Sequence, residues 1–192
     1  MGKADATRER ILQAAMAEFS AYGVAGARVD RIAKTAGANK NLIYVYFESK
    51  EKLFTTVLEK NLLLVYEDLT FTPEDLPGFA ARVFDFAMAH PELMRLVAWS
   101  CLEERAGTPA ARGVVHDKKV EALRKAQHAG QVNAALPPGF LVVAMMTLAT
   151  AWTAANPFGP VLAPGLATHP SALRHSIIEA VGLITSPQRT TP

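Results

Sequence analysis

A short segment, residues 29–50, most constrains what this chain can fold into, and it reads VDRIAKTAGANKNLIYVYFESK. Its first half has apolar residues at the three- and four-residue spacing of an amphipathic helix, namely Val29, Ile32, Ala33 and Ala36. Gly37 follows directly, at a place where helices commonly end in a left-handed residue, which glycine adopts without a side-chain clash. The segment therefore predicts a short helix that stops at a glycine turn.

A second short helix is predicted immediately after this turn. Asn39 suits its N-cap, because the side-chain oxygen can accept a hydrogen bond from an exposed backbone N–H. Ile43 and Phe47 lie four residues apart and are expected to face the core. Helices this short are unstable alone, so the pair must pack against the rest of the chain. The order helix, glycine turn, helix is typical of the DNA-binding motif whose second helix enters the major groove.

The flanking residues extend this pattern. Residues 7–22 predict a preceding helix that ends at Gly23, with Glu18 outside its buried stripe, which is formed by Ile11, Ala15, Phe19 and Tyr22. Ser49 is a suitable N-cap for a helix that begins at Lys50. Residues 7–54, with the motifs IAKTAG, LIYVYF and SKEKLF, closely resemble the DNA-binding domain of the tetracycline repressor (TetR) family.

The resemblance implies DNA contacts on the second helix and at the start of the helix after it, and the chemistry of these residues suggests separate roles. The implied contacts are Lys40, Asn41, Leu42, Tyr44, Val45, Tyr46 and Lys50. The first two can hydrogen-bond to base edges, and the aliphatic residues can pack on thymine methyl groups. The tyrosines and Lys50 are expected to contact phosphates, although ring packing with a solvated hydroxyl is an alternative for both tyrosines.

The turn before residue 29 departs from the family pattern. Family members usually have a threonine or serine there, which caps the helix and touches a phosphate, whereas this chain has Ala27 and Arg28. A missing cap costs about 1 kcal/mol. Arg28 is a candidate for a phosphate contact of a different kind.

Composition and charge exclude several classes of protein. The 192 residues are 50% hydrophobic and carry a net charge of +2, so the chain is not a basic protein that coats nucleic acid. Residues 1–60 contain ten Lys or Arg and seven Asp or Glu, whereas residues 61–192 contain ten and eleven, so the positive bias lies at the front. Residues 1–9 are polar and lack the apolar core of a secretion signal, and the most apolar uncharged run, residues 140–155, is shorter than the roughly 20 residues that a spanning helix needs. We expect a cytoplasmic protein.

The sequence offers no sign of catalysis, cofactor binding or a metal site. Cys101 is the single cysteine, which rules out an intramolecular disulfide framework and a cysteine-based zinc cluster. The five histidines form no adjacent helical pair, and no phosphate loop or nucleophile elbow occurs. The sequence therefore favours a protein that is not an enzyme and that holds neither metal nor cofactor.

The second half predicts a helical domain that pairs with a copy of itself. No Asp, Glu, Lys or Arg occurs in residues 126–173, which include an apolar helix at 138–155 and a loop at 156–169. The final helix has an apolar stripe with little left in its own chain to cover it, and a four-helix bundle between two subunits would bury both helices. The resemblance implies the same dimer, and an intrachain core is the alternative. The predicted interface residues are Val142, Met146, Ala149, Leu173, Ile177, Val181 and Ile184.

We therefore expect an all-α protein with a three-helix DNA-binding domain at residues 1–54 and an effector-binding and dimerisation domain at 55–192. The resemblance implies a homodimeric repressor that leaves a palindromic double-stranded DNA operator when a small apolar or amphipathic molecule binds. The candidate effector-binding residues are Phe84, Met88, Trp99, Glu103, His116, Met146 and Trp152, although aromatics and methionines at helical spacing are usually core residues. The alternatives are a DNA-binding regulator without a small-molecule effector and a helical enzyme.

Overall fold

The computed structural model describes residues 2–103, 110–156 and 158–187, which contain helices and no β-strand. The predicted all-α class is confirmed. In chain order the helices are α1 (Lys3–Gly26), α2 (Val29–Ala36), α3 (Lys40–Phe47), α4 (Lys50–Asp68), α5 (Leu76–Ala89), α6 (Pro91–Leu102), α7 (Ala110–His128), α8 (Pro138–Thr150), α9 (Phe158–Leu162), α10 (Pro164–Ala167) and α11 (Pro170–Thr185), with a 3-10 turn at Pro73–Asp75 before α5.

The chain divides into two compact units. The first comprises Met1–Leu64 together with His90–Pro109, and the second comprises Val65–Ala89 together with Ala110–Pro192. The division expected from the sequence, between residues 54 and 55, falls inside α4. The first unit thus contains α6 as well as the three predicted helices, because α6 packs along α1.

The core of the first unit is formed where α1, α3 and α4 bury their apolar sides. Ile11, Phe19, Ile43 and Phe54 are completely buried. The rings of Phe19 and Phe54 meet edge to face, with centroids 5.3 Å apart and planes at 89°. Such pairs stabilise a core by roughly 1 kcal/mol beyond the area they bury. This core fixes the orientation of α3 within the unit.

The first helix is interrupted at Gly23, the residue where the sequence predicts its end. Helical residues continue to Gly26, but Gly23 itself has φ 65° and ψ −176°, so the helix is broken there. This conformation is open almost only to glycine. The glycine therefore kinks the chain, and helical residues resume after it.

The second unit has its own core, which α5, α7, α8 and α11 surround. Phe79 and Val83 of α5 are buried in it with Leu123 of α7 and Leu141 of α8. The ion pair between Arg174 of α11 and Asp85 of α5 has a distance of 2.9 Å. These contacts hold α11 along α5.

This packing overturns most of the predicted dimer interface. Five of the seven predicted residues are buried in the core of their own unit, namely Val142, Ala149, Leu173, Ile177 and Val181. Met146 and Ile184 are partly buried against the same core. The apolar stripe of α11 does have a partner in its own chain, because α5 and α8 cover it. The alternative, an intrachain core, is correct for these residues.

The segment predicted as a loop at 156–169 contains the two short helices α9 and α10. It is attached to the end of α8, since Gly159 N–H donates to the Ala151 carbonyl (3.1 Å) and Trp152 Nε1 donates to the Ala163 carbonyl (3.2 Å). A Cβ on Gly159 would lie 2.1 Å from the Ala151 oxygen, so this close approach requires glycine. The segment is therefore anchored to α8 at two points.

Within the described residues, no helix is long and apolar enough to cross a membrane. The same part of the chain contains no cluster of three or more His, Cys, Asp or Glu side chains that could hold a metal ion.

Candidate nucleic-acid interface

The turn between α2 and α3 has the geometry that its residues predict. Gly37 ends α2 in the left-handed conformation, with φ 59° and ψ 39°, and its N–H donates to the Lys34 carbonyl at 3.2 Å. Asn39 caps α3, since its Oδ1 accepts from the Asn41 N–H at 2.9 Å. Both caps are confirmed, and they fix the angle at which α3 leaves the turn.

The buried side of α3 determines which of its residues are accessible. Ile43 and Phe47 face the core, as predicted. On the other side Lys40, Asn41, Tyr44 and Val45 are exposed, with Val45 at 73%. This exposed side combines hydrogen-bonding groups with an apolar group, which is the combination needed to read base edges and thymine methyl groups.

The remaining predicted DNA-binding residues surround this exposed side. Arg28 is exposed, whereas Leu42, Tyr46 and Lys50 are half-buried. The ring of Tyr46 packs edge to face on Phe47, with centroids 6.2 Å apart. Lys50 Nζ donates to the Ala27 carbonyl at 3.3 Å. Tyr46 and Lys50 therefore have structural contacts in addition to the DNA contacts predicted for them.

The start of α2 is held by an acid from α1 rather than by a cap of its own. Arg28 occupies the N-cap and makes no side-chain capping bond. Instead Glu18 Oε1 accepts from the Arg28 backbone N–H and from Arg31 Nε, both at 2.8 Å. The helical pattern predicts Glu18 outside the buried face of α1, and this is wrong, because the side chain is only 9% exposed. Its burial is possible because hydrogen bonds from α2 satisfy the carboxylate.

Tyr22 shows the converse error. The helical pattern predicts it on the buried stripe of α1, but its ring is exposed. The guanidinium of Arg31 lies over the ring, 4.4 Å from its centroid. Tyr22 is the last residue before the break at Gly23.

Basic side chains of the first unit also form contacts that link its helices. Arg10 Nε donates to the Ala36 carbonyl at the end of α2 (3.1 Å), and the Arg8 guanidinium lies 5.2 Å from the centroid of the Phe47 ring. Lys60 of α4 pairs with Glu9 of α1 at 2.5 Å. The positive bias of residues 1–60 thus serves the packing of this unit as well as its surface charge.

Side chains at the end of α6 form hydrogen bonds with the backbone of α1 around its break at Gly23. Trp99 Nε1 donates to the Ser20 carbonyl at 3.3 Å. Glu103 Oε1 accepts from the backbone N–H groups of Val24 (2.9 Å) and Ala25 (3.3 Å). A Cβ on Gly23 would lie 2.5 Å from Glu103 Oε1 and 2.8 Å from the Trp99 ring. The Glu103 carboxylate thus satisfies two backbone N–H groups that the helix break exposes.

This arrangement corrects the predicted effector site. Trp99 and Glu103 belong to the first unit, where their polar atoms bind α1. The other five residues belong to the second unit. Among them Phe84 is buried in the core, Met146 and Trp152 pack against that core, His116 is half-buried and Met88 is exposed. The alternative of ordinary core packing therefore fits Phe84, Met146 and Trp152.

The two parts of the chain match two family descriptions. Residues 11–57 match "Bacterial regulatory proteins, tetR family", and residues 75–182 match "Tetracyclin repressor-like, C-terminal domain". The second match alone covers more than half of the chain. Both matches agree with the family that the motifs of residues 7–54 resemble.

Curated relatives and solved structures agree with this assignment. The chain is 44% identical over 147 residues to the HTH-type transcriptional repressor SCO4008 of Streptomyces coelicolor, covering 73% of this chain and 77% of the relative. It is 36% identical over 109 residues to the HTH-type transcriptional repressor NicS of Pseudomonas putida, covering 53% and 51%. The crystal structure of SCO4942 from S. coelicolor has a TM-score of 0.83 and 35% identity, covering 95% of this chain and 99% of that one. The chain therefore belongs to the TetR family, and it is a DNA-binding transcriptional regulator rather than an enzyme.

Proposed function

We propose that this chain represses transcription as a homodimer bound to a palindromic operator, and that a small apolar or amphipathic molecule releases it. The observation that carries the proposal is the exposed side of α3, which presents Lys40, Asn41, Tyr44 and Val45 opposite the buried Ile43. Because its target is the bacterial chromosome, we place the protein in the cytoplasm.

The residues of this surface divide into two roles. Asn41 and Lys40 hydrogen-bond to base edges, asparagine best to adenine and lysine to guanine, while Leu42 and Val45 pack on thymine methyl groups. Arg28, Tyr44, Tyr46 and Lys50 contact phosphates and set the register without reading sequence. The half-buried position of Lys50 supports its role, since its bond to the Ala27 carbonyl holds the ammonium at the start of α4.

The proposed dimer uses the outer faces of the late helices rather than the residues first predicted. Large apolar side chains stay exposed on α8 (Phe140, Val143), on α9 and α10 (Phe158, Val161, Leu162, Leu166) and on α11 (Leu183). Exposed apolar groups this numerous on one unit are typical of an interaction surface. A two-fold dimer sets its recognition helices about 34–36 Å apart, so that they enter successive major grooves.

The proposed effector binds within the second unit. Met88, His116, Met146 and Trp152 remain its candidate contacts, and Phe84 is buried in the core of the same unit. The partly buried Met146 and Trp152, with the exposed Met88, suit an apolar molecule, and His116 supplies a polar group. A coupling free energy of about 1–3 kcal/mol between effector and DNA is enough for a roughly 5- to 150-fold loss of operator affinity.

Selection from a pool of random duplexes tests the DNA-binding part of the proposal. We expect enrichment of a pseudo-palindrome whose half-sites lie about one helical turn apart. Asn41→Ala is expected to change the preferred base at one position of each half-site, whereas Lys50→Ala is expected to weaken all sequences alike and to reduce the salt dependence. Failure of the wild-type chain to enrich any sequence at low salt would overturn the proposal.

A compound screen tests the effector. The expected result is a molecule that raises the thermal unfolding temperature and lowers operator affinity, both with the same concentration dependence. Trp152→Ala should weaken that molecule's binding more than it weakens DNA binding in its absence. If every compound that binds leaves operator affinity unchanged, the chain is a regulator without a small-molecule effector.

A further inference from the structure

An ion pair joins the two helices of the DNA-binding motif on their exposed side. Lys40, the first residue of α3, places Nζ 2.9 Å from Oδ1 of Asp30 in the first turn of α2. The side chains are 48% and 72% exposed, so the pair lies at the surface. The hydrogen bond to Asp30, and then its charge, raise the pKa of Lys40. Lys40 therefore stays fully protonated, and Asp30 of α2 holds its ammonium group in place.

The position of this acid is unfavourable for simple DNA binding. Asp30 lies within reach of a residue predicted to enter the major groove, and a carboxylate there repels the phosphates of any duplex. Its high exposure means that the core does not require it. The dipole of α2 does favour an acid in its first turn, and this is the structural role against which a functional role must be tested.

We propose that Asp30 is a specificity-determining positioning residue, which holds the Lys40 ammonium for base reading and withholds it from the phosphates of non-cognate DNA. The inference rests on the proposed function of α3 as the recognition helix. It concerns how well the protein discriminates between sequences rather than how tightly it binds DNA.

The chemistry of the ammonium explains this effect. A lysine ammonium has three N–H donors, and the bond to Asp30 uses one of them. The others remain for a base edge with paired acceptors, such as O6 and N7 of guanine. Where a sequence offers no such pair of acceptors, Lys40 must leave Asp30 to reach a phosphate, and the unpaired carboxylate then faces the polyanion. Asp30 thus weakens non-cognate binding more than operator binding.

A double-mutant cycle tests the proposal. The affinities of the wild type, Asp30→Asn, Lys40→Gln and the double variant are measured for the selected operator and for a scrambled duplex, over a range of salt concentrations. Asp30→Glu keeps the charge and should behave like the wild type. Glu59→Gln removes an exposed acid from α4 and serves as the matched control for net charge. Thermal unfolding of each variant monitors the structural role.

The expected result is that Asp30→Asn raises the affinity for the scrambled duplex by roughly 3- to 10-fold and the affinity for the operator by less than about twofold. Its salt dependence on the scrambled duplex should steepen by about one released counterion. In the Lys40→Gln background, Asp30→Asn should raise the affinity for the scrambled duplex by no more than Glu59→Gln does. Equal tightening of both duplexes, or an undiminished effect without Lys40, would overturn the inference. If the wild type itself prefers no sequence, the proposed function fails instead.

Discussion

Glu18 and Arg31 form an ion pair between α1 and α2, with Oε1 2.6 Å from Nη2 and 2.8 Å from Nε. The same oxygen accepts from the Arg28 backbone N–H at the N-cap of α2. Burial alone would raise the pKa of Glu18, but the hydrogen bonds from Arg31 and Arg28, with their charges, outweigh it and leave the pKa below its usual value. The carboxylate thus supplies from α1 the cap that α2 lacks.

Replacing Glu18 should destabilise the first unit more than replacing an ordinary surface acid. Glu18→Ala removes hydrogen bonds to a charged, buried acceptor and leaves the N-cap N–H without its partner, at a cost of about 1–3 kcal/mol. Glu9→Gln is the matched control, because it breaks the half-exposed pair with Lys60, which contributes about 0–1 kcal/mol. Urea unfolding followed by Trp99 fluorescence, in a common Trp152→Phe background, reports on the first unit. Equal losses for both variants would contradict this prediction.

The stabilisation by Glu18 should also depend on pH. Its pKa in the folded state lies below the unfolded value of 4.5, so the ionised carboxylate contributes fully above that value. The contribution is lost as the pH falls through the folded-state pKa. The difference in free energy of unfolding between the wild type and Glu18→Gln should therefore be constant from pH 7 to 5 and shrink below about 4.5. A difference that grows on acidification would show that the pKa is raised.

The features predicted correctly from sequence are those that neighbouring residues decide. Gly37 and Asn39 have the predicted cap geometry because each bonds within its own turn. Ser49 caps α4 as predicted, since its Oγ accepts from the Lys52 N–H at 3.0 Å. In each case the sequence signal lies within a few residues of the structure that it specifies.

The features missed depend on partners distant in the chain. Glu103 lies 79 residues from the Val24 N–H that it binds, and helical spacing carries no signal of such a contact. The sequence pattern predicts that the apolar stripe of α11 is buried in a dimer, because the pattern does not show how much of α5 is buried. In the structure both Phe79 and Phe84 of α5 are buried, and the space between helices is filled within one chain. Periodicity identifies an apolar face but not the helix that covers it.

Gly23 should be the glycine of the first unit least tolerant of substitution. Gly23→Ala forces a side chain into a conformation open almost only to glycine and places Cβ 2.5 Å from Glu103 Oε1. Gly37→Ala is the control, since Gly37 also has a positive φ but a Cβ added there would meet no atom within 4 Å. We expect a loss of about 1 kcal/mol for Gly37→Ala and at least about 2 kcal/mol for Gly23→Ala. Trp99 fluorescence should shift only in the Gly23 variant.

The Glu103 carboxylate should matter for the same part of α1. Glu103→Gln retains one acceptor for the Val24 and Ala25 N–H groups but removes the charge, so we expect a loss of only about 1 kcal/mol. Glu103→Ala should cost about 1–3 kcal/mol, because both N–H groups lose their partner. Hydrogen exchange at these amides checks the cause, since their protection should fall in the alanine variant first. Unchanged protection would mean that the carboxylate does not hold this end of α1.

Leu183 should separate dimerisation from folding. Its side chain is 80% exposed on α11, opposite the buried Ile177 and Val181, so Leu183→Glu should leave the free energy of unfolding of the isolated chain nearly unchanged. In a two-fold dimer the change removes two apolar contacts and adds two like charges, which should raise the dissociation constant by on the order of 100-fold or more. Leu102→Glu, at a similarly exposed leucine of the first unit, is the matched control. Sedimentation equilibrium should find Leu183→Glu monomeric at concentrations where the control is dimeric, and operator affinity should fall with the loss of the dimer. A Leu183→Glu protein that remains a dimer would exclude this face of α11 from the interface.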